Sequence, residues 1–101
     1  MKLLALEREL PGVTPDQCAP HLRAEAAMLW RLVQEGTVRE AYFRQDRSAA
    51  VLVLECADAA EAEQALSRLP LVEAGLIAFD LLPLIPYPGF SRLFSPSGAT
   101  E

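Results

Sequence analysis

Residues Ala50 to Cys56 read Ala-Val-Leu-Val-Leu-Glu-Cys, a run too short for a core helix and rich in β-branched side chains. As a strand, its two-residue period sends Leu52 and Leu54 to one sheet face and Val51 and Val53 to the other. Both faces are apolar, so both need cover. With 101 residues the chain is one domain with a small core, and its own helices cover one face of a sheet. A second copy packing sheet to sheet covers the other, so a homodimer or a larger ring is expected.

The rest of the chain supplies the other elements in a regular order. Lys2 to Arg8 sets Leu3, Leu4, Ala5 and Leu6 between charged ends, which suits a short strand, and Pro11-Gly12 marks a turn. Thr14-Pro15-Asp16-Gln17 reads as a helix start, with Thr as N-cap, Pro at the first position and Gln closing a capping box. Apolar periodicity continues to Val33 and Gly36 stops the helix, while Pro20 inside it predicts a kink. Val38 to Arg44 alternates as a strand, and Gln45 to Ser48 is a polar connection of hairpin length. Asp58 caps a second helix, with Glu61 completing its capping box and Pro70 ending it. Leu76 to Leu84 is the last strand.

Strand, helix, strand, strand, helix, strand is the split βαβ order of a ferredoxin-like α+β fold, here expected as a dimeric α+β barrel. Residues 1–86 make that domain. Residues 87–101 form a Pro- and Gly-rich tail whose Tyr87, Phe90 and Phe94 are expected to dock on a neighbouring subunit.

Composition removes several classes of function. Net charge is −5, which speaks against nucleic acid as a partner. No apolar run approaches the roughly 18 residues of a membrane span, and no signal-peptide layout opens the chain, so a cytoplasmic protein is expected. Cys18 and Cys56, with His21 as the single histidine, fall short of the four ligands of structural zinc. They read as free thiols. No phosphate loop, dinucleotide fingerprint or nucleophile elbow occurs, so neither a metal nor a cofactor is expected.

One carboxylate breaks the pattern. At 100° per residue Cys18, Leu22, Ala26, Leu29, Leu32 and Val33 form a single helical stripe, and Glu25 falls inside it. A carboxylate turned toward a core loses hydration and its pKa rises, the usual preparation of a general base. His21 lies one turn before it. Arg39 and Arg44, on opposite faces of their strand by the two-residue period, are candidates to orient a substrate carboxylate. Tyr42 shares the Arg44 face. Asp80 is a polar intrusion in the last strand, a candidate substrate-binding residue or equally an exposed edge residue or the partner of an arginine.

Leu29-Trp30-Arg31-Leu32-Val33-Gln34-Glu35-Gly36-Thr37-Val38-Arg39, the segment Leu66-Ser67-Arg68-Leu69-Pro70-Leu71 and the stretch Ile77 to Pro86 together resemble muconolactone delta-isomerase. The similarity runs without a gap from about His21 to Pro86. It implies cofactor-free and metal-free movement of a proton across a small unsaturated lactone or related acid. It also implies Glu25 as the catalytic glutamate, with Arg39 and Asp80 matching a family arginine and aspartate. The family's Gly-His-Tyr element is replaced here by Asp46-Arg47-Ser48, and the aromatic tail is this chain's own.

Three functions fit these residues. The first is an isomerase in which Glu25 moves the proton, an arginine holds the substrate and Tyr42 or His21 steadies the developing enolate. The second is a binding module for an apolar carboxylic acid. The third is cofactor-independent oxygenation of an aromatic substrate.

Overall fold

A computed structural model describes residues 1–94. Strands β1 (Lys2–Glu9), β2 (Val38–Phe43), β3 (Ala50–Glu55) and β4 (Ile77–Leu84) form one antiparallel sheet in the order β2-β3-β1-β4. With the intervening helices this is the ferredoxin-like α+β arrangement. The expected kink is present. Helix α1 (Pro15–Cys18) ends at a 3₁₀ turn over Ala19–His21, and α2 (Leu22–Gln34) continues to Gly36, whose φ of +82° favours glycine. At the start of α1, the Thr14 N–H donates to Gln17 Oε1 at 2.7 Å, one arm of a capping box.

Asp58 caps α3 (Ala59–Leu66) by accepting the Glu61 N–H at 2.8 Å. Pro70 does not end α3, which stops at Leu66. It opens a further short helix, α4 (Pro70–Glu73), because a residue without an N–H is well placed in a first turn.

The core lies between the helices and one sheet face. Leu3, Ala5, Leu52 and Leu54 meet Leu32, Ala62, Leu66 and Leu69, and all are buried. The opposite face carries Leu4, Leu6, Val51 and Val53, each half-buried, together with exposed Leu82. The two-faced apolar character read from β3 is therefore real.

Register decides where β2 sends its side chains. Val38 pairs with Leu54 and Glu40 with Val53, so Arg39 is an extra residue in a β-bulge. Beyond it, Ala41 and Phe43 follow Val38 to the helix side, while Tyr42 joins Val51 on the open side. A two-residue period counted from buried Val38 would have put Tyr42 over the core.

Candidate active site

The N-terminal half of the helical stripe faces a cavity. Cys18, Leu22, Ala26 and Leu29 line it, Leu29 also packing against the core; the cavity, of about 820 Å³, lies between α1, α2 and the sheet and is lined on other sides by Val13, Phe43, Leu71 and Ile77. Leu32, further along the same stripe, is fully buried. One periodic signal thus serves two purposes, cavity wall first and core afterwards.

Glu25 lies in the cavity wall, half-buried. Its Oε1 accepts the backbone N–H of Leu71 at 2.9 Å. Leu71 is in the first turn of α4, where N–H groups have no partner inside the helix, so the helix that Pro70 opens supplies the donor. Burial is the largest influence on this carboxyl and pushes its pKa above the usual glutamate value. The Leu71 bond opposes that, nearby Glu7 raises it further, and His21 lowers it slightly. The net direction is up, which strengthens the carboxylate as a proton acceptor.

Glu7 shares the cavity and was not singled out in the sequence. Its signal was legible there, since Leu3, Ala5 and Glu7 alternate along β1 and the first two are fully buried. Its Oε1 accepts the Ala50 N–H at 2.9 Å, which satisfies a donor at the start of β3.

Of the other expected site residues, only Tyr42 touches the cavity wall. His21 is half-buried in the 3₁₀ turn and does not line the cavity. Arg39 Nε donates to the Gly36 carbonyl at 2.6 Å, and Arg44 pairs with Asp46 through Nε at 2.8 Å and Nη2 at 2.6 Å. Neither arginine lines the cavity, so the structure does not bring a carboxylate clamp to Glu25. Tyr42 touches the cavity wall, yet its register sends the side chain to the open face, where its hydroxyl donates to Glu40 Oε1 at 2.6 Å. Asp80 pairs in register with Leu6 on that open face and accepts from Arg8 Nε at 3.1 Å. The arginine-partner alternative holds for it, and the opposite sheet face separates it from Glu25. The hydroxyl-bearing residues in the cavity wall besides Tyr42 are Thr14 and Ser48.

Among the described residues no group of three or more His, Cys, Asp or Glu is placed to hold a metal ion. None of their helices is long and apolar enough to cross a membrane. Cys18 and Cys56 are free thiols, the second buried.

No protein-family model and no curated protein matches this sequence. Solved structures do match the fold. It is similar to muconolactone isomerase, with a TM-score of 0.71 and 21% identity over 87% of this chain and 92% of the other. It is also similar to 5-chloro-2-hydroxyhydroquinone dehydrochlorinase from Burkholderia phenoliruptrix AC1100, solved in complex with 2,5-dihydroxybenzoquinone. That match has a TM-score of 0.68 and 18% identity over 86% of this chain and 96% of the other. At such identities the likeness establishes a shared fold.

Proposed function

We propose that the cavity is the active site of a cofactor-free proton-transfer enzyme, an isomerase of small unsaturated lactones or related oxygenated rings, with Glu25 as its base. The observation that carries this reading is a half-buried carboxylate with a raised pKa in an otherwise largely apolar cavity of ring-accommodating size. The Glu25 carboxylate takes a proton from the γ-carbon of an α,β-unsaturated carbonyl. The C–H electron pair delocalises through the double bond into the carbonyl as a dienolate, and the Glu25 acid returns the proton to the α-carbon. The double bond has then shifted and Glu25 is restored. The Ser48 hydroxyl is the donor in the wall for the developing oxyanion. By analogy alone, the two similar folds, an isomerase and a dehydrochlorinase solved with a dihydroxybenzoquinone, support a small oxygenated ring as the ligand.

The protein acts as a homodimer in this reading. Leu4, Leu6, Val51, Val53 and Leu82 would otherwise hold one apolar sheet face in water, and a second copy packed sheet to sheet removes it. The segment 87–94 docks on the neighbouring copy. It is preformed as a 3₁₀ turn over Pro88–Leu93, with Tyr87 and Phe90 stacked edge to face at 4.8 Å and Leu93 and Phe94 exposed. Residues 95–101 of the tail lie outside the described residues.

Following the double-bond shift of simple α,β-unsaturated γ-lactones by ultraviolet absorbance tests the activity. Turnover by the wild type, absent in Glu25→Gln, supports the isomerase. Lactone binding without turnover transfers the assignment to a binding module.

A further inference from the structure

The charge inside the cavity has one sign. Glu7, Glu9 and Glu25 line it, and among the described lining residues there is no lysine, arginine or histidine. Arg8 is engaged with Asp80 on the open face, Arg39 with the Gly36 carbonyl and Arg44 with Asp46. Glu7 is the informative member. It is half-buried, its position on β1 is set by the same alternation that buries Leu3 and Ala5, and its Oε1 is tied to the Ala50 N–H. Glu7 also raises the Glu25 pKa, so the two carboxylates sense one another through a largely apolar space.

Carboxylates present only acceptors, so the groups that complement them are hydrogen-bond donors, among them the hydroxyls of an oxygenated ring. Proton transfer from a ring to Glu25 moves one negative charge from the protein to the ligand and leaves the cavity's total unchanged. A ligand that brings a carboxylate adds a further charge with no cation to meet it.

We propose that Glu7 is a specificity-determining residue: anchored to Ala50 in the cavity it shares with Glu25, it turns away ligands bearing a carboxylate and selects uncharged rings carrying hydroxyl groups. This rests on the reading of the cavity as the proton-transfer site and names its substrate class. It replaces the arginine-held organic acid expected from the sequence.

The test uses hydroquinone and 2,5-dihydroxybenzoate, which differ by one carboxylate, and measures both affinities by calorimetry at pH 7. Wild type and Glu7→Gln are compared, since glutamine keeps an Oε1 acceptor for Ala50 and removes only the charge. The wild type is expected to bind hydroquinone at least tenfold more tightly than the acid. Glu7→Gln should reduce that ratio by on the order of tenfold, chiefly by strengthening the acid. Binding of both probes with an unchanged ratio in Glu7→Gln overturns the role of Glu7 alone. An acid bound more tightly by the wild type does the same, however stable the variant proves. No binding of either probe by the wild type overturns this inference together with the assignment of the site.

Discussion

The Leu71 N–H reaches Glu25 Oε1 at 2.9 Å, joining residues 46 positions apart in sequence. The contact ties the candidate base to the first turn of a four-residue helix and fixes where the carboxyl points. It also moderates the base, because the bond stabilises the anion that burial disfavours.

Burial wins that competition, and a dependence of stability on pH follows. The folded state holds the Glu25 proton more tightly than the unfolded chain does, so stability falls as pH rises from the unfolded glutamate pKa, about 4.3, to the higher folded value. The Glu25→Gln variant loses that dependence. Its melting temperature relative to wild type should increase on going from pH 4 to pH 7, with Glu7 and His21 still present as neighbours. A difference that shrinks over the same interval would show that the folded protein prefers the Glu25 anion.

Val53 sits at the centre of the open sheet face, opposite Leu4 on one side and Glu40 on the other. Val53→Asp places a carboxylate beside Glu40 in the expected interface, which a dimer cannot bury cheaply. Sedimentation should show a wild-type dimer at micromolar concentration and a folded Val53→Asp monomer. A monomeric wild type contradicts the interface.

Deletion after Ile85 removes Tyr87, Phe90, Leu93 and Phe94, all exposed in the single chain. If they dock on a neighbouring copy, the truncated protein should dissociate at lower dilution and melt earlier by several degrees. Unchanged assembly and melting would leave the tail without that role.

How far the sequence could be read depended on the period of each element. Glu25 was visible because α2 keeps its 3.6-residue stripe through Leu22, Ala26 and Leu29, and the structure places that stripe against the cavity. Apolar residues on both faces of β3 were visible for the same kind of reason. A period counted from Val38 cannot place Tyr42, since the Arg39 bulge inserts one residue and exchanges the faces beyond it. Helix α4 was hidden because proline marks helix ends and helix starts alike. Without α4, the Leu71 donor to Glu25 could not be anticipated. Glu7 was overlooked as the charged end of a strand, although its alternation with Leu3 and Ala5 already assigned it to the helix side.

The central claim is that Glu25 removes a proton from a bound ring or lactone, and solvent deuterium reports that step directly. α,β-Unsaturated γ-lactones incubated with the protein in deuterated water are followed by proton NMR at the γ-carbon, from which the base takes the proton. The wild type should exchange that position, and Glu25→Gln should do so slower by on the order of 10²-fold or more, because only the base is lost. Equal exchange in the two proteins would contradict the account.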